Sequence, residues 1–269
     1  MPIPRAWAAH CRVTDSITVR KALGNAAAAL FWVVVWQLAA VAANRSLLLP
    51  IPTPVDTVRA LWRMALQGGF WLTVGASLLR ICAGFLLALL LGGLCGFAAA
   101  RWPLFRQLTA PLVQLIRAIP VAVFTIVVFL WVSRPYIPST IVFLTVLPIV
   151  WSNVETGLRH ADRQLSEMAR VFGMGRWDVL RCVTLPGIRP YVTAAVTTGV
   201  GFAWKSGIAG EVIAIPKDAI GTQLYDAKVY LETTDLFAWT VVIVVLSVLI
   251  EKLFTRIIQS AARKWGGAE

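Results

Sequence analysis

The sequence predicts an all-α membrane protein, a polytopic bundle of about six transmembrane helices. Of the 269 residues, 58% are hydrophobic and only 14% are charged, whereas a soluble domain usually carries about a quarter charged residues. The chain therefore lacks the charged side chains needed to cover a water-facing surface. Apolar runs that approach or exceed the roughly 20 residues of a membrane span also recur along it. Together these observations place most of the chain in a lipid bilayer.

Six spans are expected from these runs, at about 22–43, 78–100, 109–132, 137–152, 190–213 and 236–258. The first follows four basic residues and has no small-residue cleavage site, so we interpret it as a helix that is retained rather than as a signal peptide. The third contains Pro120, which should kink the helix and free backbone carbonyls. The fourth run is the shortest of the six.

A short helix is expected between the first two spans. Thr53 can act as its N-cap, Pro54 suits the first helical position, and Gly68 and Gly69 would close it. Six apolar side chains fall on one face of this helix: Val55, Val58, Leu61, Trp62, Ala65 and Leu66. Such a face suits a helix that lies on the membrane surface or packs against the ends of the spans. A contact with a protein outside the membrane is a further possibility.

Charge distribution gives the orientation. The net charge is +12, which on a soluble protein would suggest nucleic-acid binding, but basic residues also collect in the cytoplasmic loops of membrane proteins. With the N-terminus inside, sixteen basic residues fall in cytoplasmic segments and six outside. We therefore expect both termini to be cytoplasmic, and no nucleic-acid partner. The domain plan is a tail at 1–21, a transmembrane domain at 22–258 with a cytoplasmic loop at about 155–189, and a tail at 259–269.

The residue types that usually hold metals or cofactors show no site pattern. The four cysteines form no CxxC pair, and the two histidines lie far apart, so no metal site is expected. The chain also has no GxxxxGK[ST] phosphate loop. Catalytic patterns such as a nucleophile elbow, a histidine box or paired acids are missing as well. These absences argue against a membrane enzyme, and no cofactor is expected.

The loop between the fourth and fifth spans is polar but ordered. Its sequence is HADRQLSEMARVFGMGRWDVLRCVTLPGIRP, and four apolar residues in its first half have helical spacing: Leu165, Met168, Ala169 and Phe172. Gly173 and Gly175 should break this helix. A second short stripe starts at Trp177 and should end at Leu185-Pro186. Such a hairpin could lie on lipid headgroups, or it could dock as a knob into a groove on a soluble partner.

The same loop resembles the cytoplasmic EAA loop of ATP-binding-cassette (ABC) importer permeases. The pattern of that loop is Glu-Ala-Ala, three residues, Gly, nine residues, Ile, one residue, Leu-Pro. The residues that match or conservatively replace this pattern are Glu167, Ala169, Gly173, Val183, Leu185 and Pro186. Met168 replaces the middle alanine and Val183 the isoleucine, and both replacements remain apolar. The resemblance implies that these six residues couple the permease to an ATPase.

The resemblance extends over about residues 48–258. The segments LLPIPTPVDTVRALW, SLLRICAGFLLALLLGGLCGF, PLVQLIRAIP, GFAWKSGIAGEV and LYDAKVYLETTDLFAW are similar to the nitrate, sulfonate and taurine group of these permeases. The likeness implies a type I importer permease with the MetI-like fold in the inner membrane. It also implies two ATPase subunits, a second and identical permease copy, and an extracytoplasmic solute-binding protein. The solute would be an anion such as a sulfonate or nitrate, or a vitamin precursor.

Among the charged residues inside the predicted spans, three are singled out as costly where they lie: Arg117, Lys205 and Glu211. Intramembrane charges usually face the bundle interior or a water-filled path. Arg117 could tie down the carbonyls near Pro120, or it could attract an anionic solute. Lys205 and Glu211 lie six residues apart, too far round the helix for an ideal ion pair with each other. They could pair with other helices or belong to a gate, so we predict all three as candidates for the translocation pathway.

A secondary transporter or channel is the alternative to the importer. It would need no ATPase, and the loop after the fourth span would face lipid instead of a partner. Six spans without a clear internal repeat argue against an inverted-repeat transporter. Copurification with an ATPase subunit would decide between the two classes.

Overall fold

The computed structural model describes residues 24, 27–44, 50–160, 168 and 171–265. These residues are helical, without a strand among them, as the sequence predicts. In chain order the helices are α1 (Ala27–Ala43), α2 (Pro54–Ala65), α3 (Gly68–Arg101), α4 (Pro103–Ala118), α5 (Val121–Val128), α6 (Ile137–Arg159), α7 (Arg176–Val179), α8 (Leu185–Ala214), α9 (Ile220–Val229) and α10 (Thr233–Trp265). A 3₁₀ turn at Arg134–Tyr136 leads into α6.

The described helices do not confirm the expected number of six spans. Three are long and apolar enough to cross a membrane: α3, α6 with its leading turn, and the Thr233–Ile257 part of α10. The pair of α4 and α5 makes a fourth if it is one broken span. The described part of α1 is a shorter apolar helix. α8 has 30 residues, but the charged and hydroxyl side chains along it lower its hydropathy.

The predicted span at 109–132 is not one helix. α4 ends and α5 begins on either side of Ile119 and Pro120, and their axes differ by 105°. Ile119 is extended, with φ −81° and ψ 126°, because the ring of a following proline disfavours helical geometry. Pro120 also has no N–H with which to continue the ladder. The expected kink is therefore a complete break, and its cause is the residue that the sequence indicated.

Helix α6 lies between α3 and α8 and makes the most extensive helix–helix contacts of the described chain. The face of α3 toward α6 is a stripe of small buried residues: Gly84, Ala88, Gly92, Gly96 and Ala99. A Cβ at Gly84 would overlap the carbonyl oxygen of Ser139, and one at Gly96 would lie 2.6 Å from the carbonyl oxygen of Trp151. Small residues thus let the two backbones touch, as is common between membrane helices. The stripe sets the spacing of the whole bundle.

Helix α2 begins as expected, but its exposed face is the apolar one. Thr53 caps it by accepting a hydrogen bond from the Asp56 N–H, and Pro54 is its first residue. The residues buried toward the bundle are Thr57, Ala60 and Met64, and Leu61 and Ala65 pack at the edge of this core. Four of the predicted apolar residues are more than half exposed: Val55, Val58, Trp62 and Leu66. The exposed stripe suits contact with lipid.

Gly68 and Gly69 do not close α2. They are the first two residues of α3, which therefore starts ten residues before the span predicted at 78–100. The break between the helices falls at Gln67, whose backbone is extended. Thr73 and Ser77 are polar yet buried in this first part of α3. Because these residues are polar, the apolar run predicted at 78–100 did not include this first part of α3.

Pro186 does not end a helix either. The backbone passes from α7 through a π-helical turn at Leu180–Thr184 directly into α8. A proline in the first turn of a helix lacks only an N–H that would have had no partner there, and a π-turn accommodates local changes in the ladder. The predicted stop at Leu185-Pro186 was therefore wrong. α8 begins five residues before the predicted span at 190–213.

Two other helices also extend beyond the ends of their predicted spans. α6 continues to Arg159, past the end predicted at 152, and α10 continues to Trp265, past the end predicted at 258. The last turns of α10 therefore lie in the segment that the sequence assigned to the C-terminal tail. Polar residues end the apolar run in both helices without ending the helix.

We expect Gly84→Ala to destabilise the bundle, because the added methyl would overlap the Ser139 carbonyl and force α3 away from α6. Overpacking of this kind costs about 1–3 kcal/mol. The measurement is the fraction of monodisperse protein that survives heating in detergent. Gly93→Ala on the same helix is the matched control, since a Cβ there meets nothing within 4 Å. Equal thermal stability of the two variants would contradict the proposed close contact.

Candidate functional site

The described part of the cytoplasmic loop keeps the glycine turn that the sequence predicts. Gly173 has φ +66° and nothing within 4 Å of the position where a Cβ would stand. This left-handed conformation favours glycine over residues with a side chain. Val183 lies in the π-helical turn, and Leu185 and Pro186 open α8. Glu167 and Ala169 lie outside the described residues.

Large apolar side chains around this glycine turn are uncovered. Val171 is 85% exposed, Phe172 76% and Trp177 73%. Met168 and Met174 extend the same surface with smaller exposed fractions. Exposed apolar groups gathered in one short segment mark a contact with lipid or with another protein. We call this surface the coupling-loop surface.

Arg117 lies at the end of α4, beside the break at Pro120, and reaches across to α6. Its guanidinium donates to the Pro148 carbonyl oxygen at 2.8 Å and also to the hydroxyl of Ser152. The arginine lines a cavity of about 440 Å³ whose walls include Phe124 and the α8 residues Thr198 and Phe202. Arg117 therefore anchors a helix end and also presents a positive charge to a cavity.

Lys205 is exposed on α8 and does not meet Glu211. It lines a second cavity, of about 310 Å³, together with Glu251 of α10. Among the described residues it has no ion pair within 4.0 Å. Thr198 and Phe202 line this cavity as well as that of Arg117. The structure thus brings Arg117 and Lys205 to opposite sides of one short segment of α8.

Glu211 is fully buried and bonded on several sides. Its carboxylate accepts hydrogen bonds from the Ser77 hydroxyl at 2.9 Å and from the Gly221 N–H at 3.1 Å. It also pairs with the Arg80 guanidinium at 3.4 Å. Gly221 is the second residue of α9, so the carboxylate sits at a helix N-terminus, where negative charge is stabilised. Of the two options that the sequence left open for Glu211, the structure shows pairing with another helix.

Arg80 extends this network to the connection between α8 and α9. It donates to the carbonyl oxygens of Lys217 at 2.6 Å and Asp218 at 3.0 Å. The Ser77 hydroxyl in turn accepts from the Ile220 N–H at 2.9 Å. One buried cluster therefore fastens α3 and α8 to the connection that follows α8 and to the start of α9. It holds the end of the bundle that lies opposite the coupling-loop surface.

Sequence reasoning did not identify Arg80 as a functional residue. It lies within the predicted span at 78–100, where a charge is as costly as at the three residues that were singled out. If Arg80 is also counted as an intramembrane charge, it becomes a candidate ion-pair partner for Glu211. Its distance of 131 positions from Glu211 is why no local spacing rule could show the pair.

Residues 84–264 match the family model described as the binding-protein-dependent transport system inner membrane component. This match covers more than half of the chain and includes the glycine turn, Arg117, Lys205 and Glu211. The chain belongs to this family. It is an integral inner-membrane permease component of the ABC importer class, and its relatives are transport subunits rather than enzymes.

Named relatives of this permease include members of the nitrate, sulfonate and taurine group. The taurine transport system permease protein TauC of Escherichia coli is 27% identical over 81% of this chain and 80% of its own length. The riboflavin transport system permease protein RibX of Chloroflexus aurantiacus is 28% identical over 87% of this chain and 90% of its own length. The resemblance predicted from the sequence is confirmed.

Among solved structures, the permease resembles a chain of the MetNI methionine ABC transporter in its inward-facing conformations. The TM-score is 0.53, with 22% sequence identity, and the match covers 72% of this chain and 94% of that chain. This likeness confirms the MetI-like fold. The expected number of six spans stays unconfirmed.

We expect Arg80→Gln to destabilise the permease strongly, because it would leave the carboxylate of Glu211 buried without its cation. Breaking a buried pair in this way costs about 3–5 kcal/mol. The double variant Arg80→Gln/Glu211→Gln removes both charges and should recover part of that loss. The measurement is a double-mutant cycle on thermal unfolding in nanodiscs. If the two single effects simply add, the two side chains are not coupled.

Proposed function

We propose that this permease imports a small solute by alternating access, driven by a separate ATPase that docks on the coupling-loop surface. The observation that carries the proposal is the group of uncovered apolar side chains around a left-handed Gly173. A knob of this kind suits the helix-in-groove mode of protein recognition. Glu167 and Ala169 complete the proposed coupling set with Gly173, Val183, Leu185 and Pro186.

A continuous path of backbone supports transmission of force from this loop. The coupling loop leads through the π-helical turn into α8 without a flexible connection. α8 then carries Lys205 about two thirds of the way along and Glu211 near its far end. A displacement of the loop would therefore move α8, which contributes residues to the cavities of Arg117 and Lys205 and to the network around Glu211. This arrangement suits rigid-body motion of helices between inward-open and outward-open states.

The exposed side of α8 supports a second permease copy. It presents polar side chains to the outside of the chain: Thr197, Thr198 and Lys205. Polar and charged residues at membrane depth usually face a bundle interior or a water-filled path rather than lipid. A second copy placed against this polar stripe would enclose such a path. The proposed assembly is two permease copies, identical to each other, two ATPase subunits and an extracytoplasmic solute-binding protein.

Positive charge beside this stripe supports an anionic solute. Arg117 and Lys205 face the two cavities that share Thr198 and Phe202, and guanidinium groups suit sulfonate, carboxylate or nitrate oxygens. Taurine is named for one relative and riboflavin for another, so the family alone does not select the solute. We infer that Arg117 and Lys205 line the translocation pathway. Glu211 instead holds the bundle end beyond it through its bonds to Ser77 and Arg80.

The proposed orientation follows from the same assembly. An ATPase on the coupling-loop surface requires that loop to be cytoplasmic, which agrees with the excess of basic residues in the segments on its side of the bundle. Both termini are then cytoplasmic. The bundle end that holds the Glu211 network faces outward.

We expect Gly173→Val to uncouple transport while leaving membrane insertion intact. A β-branched residue is strained at φ +66°, so the loop would change shape at the docking surface. The measurement is solute uptake and ATPase stimulation in proteoliposomes that contain the whole complex. Gly173→Asn is the matched control, because asparagine tolerates the left-handed region and should retain more activity. Normal uptake and ATPase stimulation in the valine variant would refute docking through this turn.

We also expect Arg117→Gln to reduce uptake of an anionic solute by about tenfold or more, because it removes a charge from the proposed path. Assembly with the ATPase should change far less. Ser152→Ala is the control, since it removes one hydrogen bond of Arg117 and keeps the charge. The measurement is initial uptake rate normalised to assembled complex. Equal losses in both variants would show that Arg117 serves only to anchor α4.

Uphill uptake in the absence of the ATPase would contradict the importer proposal itself. The chain alone, reconstituted without an ATPase, should not accumulate solute against a gradient. Uphill transport by such a preparation would favour a secondary transporter instead.

A further inference from the structure

A larger cavity lies at the end of the bundle opposite the coupling-loop surface. It measures about 660 Å³ and is formed by α2, the start of α3, the segment that holds α9, and the start of α10. Four acidic residues line it, against one basic residue, Arg63: Asp218, Asp226, Glu232 and Asp235. The whole chain has only 13 acidic residues and a net charge of +12. Negative charge is therefore concentrated at this one place.

Most of this negative charge has no counter-ion among the described residues. Arg63 pairs with Asp235 at 2.8 Å. The carboxylates of Asp218, Asp226 and Glu232 have no ion pair within 4.0 Å in the described part of the chain. A concave site lined by one sign of charge raises the local concentration of the opposite ion. The described residues include no cluster of three acidic, cysteine or histidine side chains suited to a metal ion.

Thr73 points independently to a missing partner. It is only 6% exposed and lines this cavity, yet its hydroxyl has no hydrogen bond with a described residue. Every fully enclosed side-chain N or O atom of the described residues does have a partner. The Thr73 hydroxyl must therefore border open space, and the cavity supplies that space. A polar group of this kind is stabilised when a ligand brings it a donor or an acceptor.

The wall of the cavity suits an organic cation. Phe70 and Trp239 line it and stack with their ring centres 5.2 Å apart. Both rings are buried against each other, so the carboxylates are the groups that attract guanidinium and ammonium ions here. An anionic solute would be repelled from the same place, so the cavity is not the entrance for such a solute. Its chemistry fits the side chain of an arginine or a lysine.

An exposed apolar tip stands beside the cavity. Val229, Tyr230 and Leu231 are each more than half exposed, and they directly precede Glu232 in the turn between α9 and α10. Aromatic residues such as tyrosine are enriched in the cores of protein–protein interfaces. Leu231 has φ +59°, which is costly for a residue with a side chain. The tip and the cavity together form a surface with an apolar anchor and an acidic recess.

We propose that this surface docks the extracytoplasmic solute-binding protein and that the cavity receives a basic side chain from it. The proposal rests on the proposed function, which places this end of the bundle outside the cell and names a binding protein as a partner. Charge complementarity selects this occupant over the solute itself. It also means that docking should weaken as salt is added, because screening reduces attraction between partly exposed charges.

The test uses the permease–ATPase complex in nanodiscs and the solute-binding protein that stimulates its ATP hydrolysis. Affinity of the two is measured at low and at physiological salt. We expect Asp226→Asn/Glu232→Gln to weaken binding by about tenfold at low salt and to flatten the salt dependence. Tyr230→Ala should weaken binding as well but keep the salt dependence. Size-exclusion profile and thermal unfolding establish that each variant is folded.

Asp56→Asn is the matched control, because it removes one negative charge at the same end of the bundle but outside the cavity. Its affinity should equal that of the wild type. Unchanged affinity and salt dependence in the double variant would overturn the docking proposal. Dissociation of the permease pair in that variant would also overturn it, by showing that a second copy fills the cavity. If no binding protein stimulates the wild-type complex, the proposed function itself fails.

Discussion

The close contact between α3 and α6 is the constraint on which the rest of the bundle depends. Glycine at position 84 brings the α3 backbone against Ser139, and the Ser139 hydroxyl donates to the Arg80 carbonyl at 2.8 Å. That proximity fixes the position of Arg80 relative to α6. It also fixes the position of α6, to which Arg117 of α4 donates a hydrogen bond. In lipid there is little hydrophobic gain from bringing helices together, so backbone proximity and polar bonds must supply the specificity.

The buried carboxylate of Glu211 extends this constraint to the end of the bundle opposite the coupling-loop surface. A charge in a low-dielectric interior is tolerated only when hydrogen bonds and an opposite charge satisfy it, and here Ser77, Arg80 and the start of α9 do so. The same contacts hold the connection that carries Asp218, one of the carboxylates of the acidic cavity. Because α8 runs from the coupling loop to this network, the two ends of the permease are mechanically joined.

Much of the fold could be predicted from composition and local pattern. The helical class, the N-cap of α2 at Thr53, the break at Pro120 and the left-handed glycine at Gly173 each depend on the chemistry of a few neighbouring residues. Helix ends were predicted less well where a helix includes polar residues or begins with a proline. The first part of α3 carries two polar residues that are buried, Thr73 and Ser77, and Pro186 opens a helix instead of closing one. In both cases packing and first-turn geometry overrode the local signal.

The sequence by itself determined that this protein lies in a membrane, that its loop carries the EAA pattern, and that three intramembrane charges need an explanation. It could do so because hydropathy, motif spacing and the cost of a charge in lipid are properties of short segments. Only the tertiary structure decided which partner each charge has. It paired Glu211 with Arg80, separated it from Lys205 and placed four carboxylates of the 218–235 segment in one cavity with residues of α2 and α3. Those relations depend on how helices far apart in the chain come together, which no local pattern records.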